Sequence, residues 1–141
     1  DTESMLELGV AGMFMPHGLG HAIGLDVHDM EDLGEDKVGY RPGLVRDARM
    51  GLKSLRFAKE LEVNHVITIE PGCYFIPELI NKNYQDGNFM DFVNYDKLNG
   101  FNSFGGIRIE DNIQVTADGP KVLGNPIPKT VKEIEEIMIK P

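Results

Sequence analysis

The chain has 141 residues, 41% hydrophobic and 26% charged, which fits one soluble globular domain with a modest core and excludes disordered and fibrous classes. A net charge of −9 without any Lys/Arg cluster argues against nucleic acid or an anionic membrane as partner, and a lone cysteine, Cys73, excludes an internal disulfide framework. One thiol suits a reducing compartment, read here as the cytoplasm.

In chain order, Thr2 is the expected cap of a short helix through about Leu8, with Met5, Leu6 and Val10 as its apolar side and Gly9 ending it. Met15 to Asp29 then holds three of the four histidines (His17, His21, His28), interleaved with Gly18, Gly20 and Gly24. Pro16 and three glycines make a helix costly, so a loop is expected. From Ile23 the period becomes two, which predicts a strand with Ile23, Leu25 and Val27 on one side and Gly24, Asp26 and His28 on the other. Each histidine alone reads as a structural imidazole bonded to backbone; the cluster beside glycines reads as a metal ligand flanked by substrate-orienting imidazoles.

Met30 to Gly51 is polar and bears proline and glycine, as a long surface excursion does. Leu52 to Glu62, which carries Leu55, Arg56 and Lys59, has no clear periodicity. Val66-Ile67-Thr68-Ile69-Glu70 is a β-branched strand stopped by Pro71-Gly72, with Ile67 and Ile69 on one face and Val66, Thr68 and Glu70 on the other. Ile76 to Asn99 is expected to be helical in parts, with Pro77 in a first turn and Gly100 as a stop. Gly105 to Glu110 alternates, setting Arg108 and Glu110 side by side, and Ile113 to Thr116 reads as its hairpin or bulged continuation, turned by Asp118-Gly119-Pro120. Thr130 and Glu133 form a capping box, opening a helix whose Val131, Ile134, Ile137 and Met138 make a stripe expected to be buried. No repeat or second domain is evident.

His21, Glu70 and Glu110 could converge on a cation, since neighbouring strands bring same-face side chains together. One imidazole with two carboxylates suits manganese, iron, cobalt or zinc better than calcium. The bland alternative is a pair of solvated strand-end glutamates.

Three ordered motifs carry a resemblance. His17-Gly18-Leu19-Gly20-His21 through Gly24 to Val27-His28-Asp29, then Thr68-Ile69-Glu70-Pro71-Gly72 with Tyr74-Phe75, then Gly106-Ile107-Arg108-Ile109-Glu110-Asp111, together resemble the prolidase and aminopeptidase P family of pita-bread metallopeptidases. The match runs from about Val10 to the C-terminus. It implies an α+β fold of creatinase/aminopeptidase type, with a curved antiparallel sheet whose concave face carries His21, Glu70 and Glu110, and helices on the other side. It implies hydrolysis of Xaa-Pro dipeptides by a hydroxide bridging two divalent ions, usually manganese, with cobalt, zinc and iron as alternatives, in a cytoplasmic homodimer.

Residue by residue, the resemblance makes His21, Glu70 and Glu110 metal ligands, with Glu70 also handling a proton. His17 and His28 match catalytic, substrate-side histidines, and Arg108 matches a pocket arginine. Arg56 matches the arginine aimed at a dipeptide's carboxylate, expected here as a mobile clamp because it follows a polar excursion. Two of the family's five protein ligands are aspartates upstream of the histidine motif, and Asp1, Asp26 and Asp29 do not match them. Residues 1–141 therefore read as the C-terminal part of the catalytic domain, lacking an N-terminal domain and the first half of the catalytic fold, and inactive alone. The alternatives are a non-catalytic scaffold on the same fold and an aminopeptidase acting on longer Xaa-Pro peptides.

Overall fold

The computed structural model describes residues 1–139. Helix α1 (Thr2–Leu8) ends at Gly9 in the left-handed conformation, as expected, but its cap is Asp1, whose carboxylate accepts from the Ser4 N–H at 2.9 Å. Thr2 lies inside the first turn instead. Leu6 is exposed, and Val10 is buried in a 3-10 turn beyond the helix.

The expected strand from Ile23 to His28 does not form. The Gly24 N–H donates to the Asp26 carbonyl and the Asp29 N–H to the Ala22 carbonyl, which folds the segment into a closed loop and leaves Leu25 99% exposed. Alternation alone cannot sustain a strand whose polar groups are already spent in a turn. The excursion after it contains one short helix, α2 (Glu35–Val38), and a buried Tyr40 whose hydroxyl donates to the Leu55 carbonyl at 2.6 Å. Leu52–Ser54 is a 3-10 turn, after which Leu55 is extended.

Strands β1 (Val66–Ile69) and β2 (Gly72–Phe75) meet β4 (Asp111–Thr116) and β3 (Gly105–Arg108) antiparallel. Ile69 lies opposite Asp111 and Gly72 opposite Arg108, so the register runs through the interruption between them unchanged. Pro71 has no N–H to give the ladder, yet its carbonyl accepts from the Ile109 N–H at 3.1 Å, so the interruption is a break of one long strand pair. Within that break Glu70 faces Glu110. Of the two readings of Ile113 to Thr116, the continuation of Gly105 to Glu110 holds and the hairpin does not: it carries the same strand line on to pair with β1 and with β5 (Gly119–Val122), which gives a three-stranded order β1-β4-β5. Both faces of β1 are covered, with Thr68 2% exposed and Ile67 6% exposed.

Helix α3 (Pro77–Gln85) starts on Pro77, and α4 (Tyr95–Leu98) follows it; Gly100 lies within a further 3-10 turn and stops nothing. Met13, Ile80, Tyr95 and Leu98 form the buried cluster, with Phe14, Phe75, Leu79, Phe89 and Val93 around it. Tyr95 donates to the Asn88 carbonyl at 2.8 Å. Helix α5 (Val131–Met138) has the expected capping box, but its apolar stripe is not covered: Val131, Ile134, Ile137 and Met138 are all exposed. Among the described residues no helix is long and apolar enough to cross a membrane.

Candidate metal centre

The histidine loop adds a third lane beside β1. The Glu70 N–H donates to the Leu19 carbonyl, the Thr68 N–H to the His21 carbonyl and the Ile23 N–H to the Val66 carbonyl, at 2.8, 2.9 and 2.9 Å. Such close approach needs Gly20: a Cβ there would sit 1.9 Å from the Thr68 carbonyl oxygen. His21, Glu70 and Glu110 therefore come from three adjacent lanes of one sheet, and one candidate ligand atom from each lies within 4.8 Å of the others.

Hydrogen bonds set the protonation of the donors. Nδ1 of His21 donates to the Ala22 carbonyl at 3.0 Å, leaving Nε2 as a lone-pair donor 3.3 Å from Glu70 Oε1. The Thr68 hydroxyl accepts from the His21 backbone N–H at 2.9 Å and donates to Glu70 Oε1 at 3.0 Å, tying both candidate ligands to one buried group. Arg108 lies across the two carboxylates, with Nη1 3.5 Å from Glu70 and Nε 3.6 Å from Glu110, so their repulsion is offset from within the chain.

A cavity of about 200 Å³ adjoins this group, lined by His17, His21, His28, Arg56, Glu70 and Arg108 with two glycines. Five of the residues singled out in the sequence beside His21 thus share one cavity wall with it, while Glu110 joins through Glu70 and Arg108. Nδ1 of His17 donates to the Gly18 carbonyl at 2.7 Å, so its Nε2 accepts from the Tyr74 hydroxyl at 3.0 Å. The rings of His21 and His28 meet edge to face, 4.2 Å apart. Arg56 Nη1 lies 3.2 Å from His28 Nδ1, and Glu31 Oε2 lies 3.5 Å from the same nitrogen. Arg56 also bonds Glu31 and, at 3.0 Å, Glu35. It is the better held of the two arginines, the reverse of a mobile clamp.

Motif reading assigned no role to Thr68, Tyr74, Glu31 or Glu35. The signal available for Tyr74 was its glycine neighbours: a Cβ at Gly72 or Gly106 would fall 2.5 or 2.4 Å from its ring.

The model of metallopeptidase family M24 matches residues 2–117. The chain belongs to that family. It is 43% identical to the Xaa-Pro dipeptidase of Rattus norvegicus over 137 residues, 97% of this chain and 26% of that protein. It is also 43% identical to the Xaa-Pro dipeptidase of Shewanella halifaxensis, over 84% of this chain and 26% of that one. An aminopeptidase P from E. coli with the inhibitor Pro-Leu superposes with a TM-score of 0.60 at 28% identity, covering 99% of this chain and 23% of the neighbour. The aminopeptidase PepP of Pseudomonas aeruginosa gives 0.57 at 30% identity, over 98% and 23%. The family fold is the expected pita-bread type, and the chain spans about a quarter of the length of these relatives. Membership in M24 implies divalent metal, and the donor set fits it: an imidazole with a fixed lone pair and two hard carboxylates, with thiolate absent from the group.

Proposed function

We propose that this chain contributes the metal-binding and substrate-orienting residues of a peptidase that hydrolyses Xaa-Pro dipeptides. The observation that carries the reading is the convergence of His21, Glu70 and Glu110 within 4.8 Å beside a cavity walled by three histidines and two arginines. In this reading residues 1–141 are the C-terminal part of the catalytic domain, and the remaining aspartate ligands come from outside them. The working enzyme is a cytoplasmic homodimer with two divalent ions, manganese first, and cobalt, zinc or iron as alternatives. Zinc as an alternative is supported by a similar solved structure described as Zn substituted E. coli aminopeptidase P in complex with product.

His21 Nε2, Glu70 and Glu110 hold the metal, which would supply Lewis acidity and lower the pKa of water. Glu70 takes the proton released on attack at the carbonyl before proline and passes it to the leaving nitrogen. His28, on the cavity wall, gives a hydrogen bond from Nε2 to the charge developing on that carbonyl. His17 flanks the peptide, and Arg108 lines the pocket while balancing the ligand carboxylates. Arg56 receives the dipeptide's carboxylate through a two-pronged fork.

The test is Arg56→Lys in the enzyme containing this chain. KM for Xaa-Pro dipeptides is expected to rise far more than KM for longer Xaa-Pro peptides. Equal effects on both would overturn the dipeptidase reading and favour an aminopeptidase acting on longer chains, the activity class named for the solved neighbours. The retained donor set weighs against a non-catalytic scaffold.

A further inference from the structure

Arg56 is heavily engaged from one side only. All of its recorded partners meet a single nitrogen, Nη1: His28 at 3.2 Å, Glu35 at 3.0 Å and Glu31. Among the described residues Nε and Nη2 of Arg56 have no hydrogen-bond partner, and these two N–H groups form the side-on fork that fits a carboxylate. Arg56 lines the metal-side cavity, whereas Glu31 lines a separate depression with Asp26, His28 and Asp32. The two acids thus grip the guanidinium from outside the cavity.

The grip is itself braced. Glu35 accepts from Arg46 Nη2 at 2.8 Å, and Arg46 Nη1 donates to the Lys53 carbonyl at 2.8 Å, three residues before Arg56. Arg46 also covers the ring of Tyr40, whose hydroxyl is fixed to the Leu55 carbonyl beside Arg56. The Glu31 side chain is only 11% exposed, held against the guanidinium. Met30, immediately before it, adopts φ 56°, ψ 16°, a left-handed conformation disfavoured for a non-glycine residue, which the fold holds while turning Glu31 toward Arg56.

We infer that Glu31 and Glu35 are positioning residues for Arg56: they anchor Nη1 so that the Nε/Nη2 fork is presented ready-made to the carboxylate end of a dipeptide. The inference rests on the reading of Arg56 as the substrate's carboxylate partner. An arginine locked beforehand loses less side-chain freedom on binding than a loose one. The anchor therefore sets affinity for ligands that end in a carboxylate at that point and leaves others alone. Glu31 and Glu35 are separated from Arg56 by 25 and 21 residues, and both lie in the excursion after the histidine loop.

The experiment follows the arginine side-chain resonances of the isotope-labelled chain, with the Arg56 signal assigned from Arg56→Lys, during titration with Gly-Pro and with its C-terminal amide. Glu31→Gln is expected to weaken Gly-Pro binding about tenfold, the change corresponding to about 1.4 kcal/mol, and to leave the amide unaffected. In the free chain it is expected to collapse the slow guanidinium rotation that the Nη1 anchor imposes. Glu31→Asp keeps the charge and is expected to restore part of both, which separates anchoring from a general loss of fold; Glu35→Gln gives a second, more exposed site for the same comparison. Unchanged or tighter Gly-Pro binding by Glu31→Gln, with binding still lost in Arg56→Lys, would overturn the anchor and spare the reading of Arg56. Gly-Pro binding that survives Arg56→Lys, or that is absent from the unsubstituted chain, would overturn both.

Discussion

Thr68 does more than fill the space under the histidine loop. Its hydroxyl accepts from the His21 backbone and donates to Glu70, so its replacement strands a buried N–H and frees the Glu70 carboxylate at once. Thr68→Val is expected to lower unfolding free energy by about 1–3 kcal/mol, read from urea titration, while Thr68→Ser keeps most of it. Gly20→Ala drives a methyl into the Thr68 carbonyl and is expected to cost roughly 3 kcal/mol, since backbone rather than a side-chain tip must move. Arg108 acts through charge. Arg108→Gln removes the cation between Glu70 and Glu110, so the melting temperature should fall in a chelator and then rise on adding manganese by more than that of the unsubstituted chain. Equal manganese shifts in the two proteins would show that Arg108 does not balance the carboxylates.

Among the elements, local signals were legible and pairings were not. The β-branched run marked β1 and the Thr130/Glu133 pair marked the start of α5, because both depend on neighbours in sequence. Period-two alternation misread Ile23 to His28, where Gly24, Asp26 and Asp29 close a turn first. The partnership of Ile113 to Thr116 with β1 was hidden because the register belongs to the long strand pair and crosses the break at Pro71. That same register is why the candidate donors were readable only as a type and spacing: Glu70 faces Glu110 through a pairing no local pattern specifies. The contacts of Thr68 with His21 and of Tyr74 with His17 span 47 and 57 residues, so no motif could assign them. Within α5 the Thr130 backbone N–H holds the Glu133 carboxyl below its usual range, with the Thr130 hydroxyl and the Lys129 N–H adding to the effect. A lowered folded value stabilises the helix above the unfolded one and is lost as pH falls through the folded one. Helical circular dichroism of α5 should therefore persist as pH drops through about 4.3 and fade only below, and Thr130→Ala should move that loss to higher pH. Coincident acid transitions in the two proteins would contradict the capping box as its cause.

For the molecule as a whole, the uncovered stripe of α5 and the exposed Ile107 and Leu25 leave apolar surface that water does not favour. The chain is expected to associate with itself as concentration rises, seen as a shift in sedimentation; a fixed monomer mass across concentrations would contradict this. The central claim is narrower: His21, Glu70 and Glu110 form part of a divalent-metal centre that is not by itself catalytic. Its most direct measurement is calorimetric titration of the chain with manganese, alongside His21→Ala and Glu110→Gln and an assay on Gly-Pro. The account predicts weak binding by the unsubstituted chain, loss of that binding in both variants, and no turnover. Binding unaffected by the two substitutions, or micromolar binding accompanied by turnover, would contradict it.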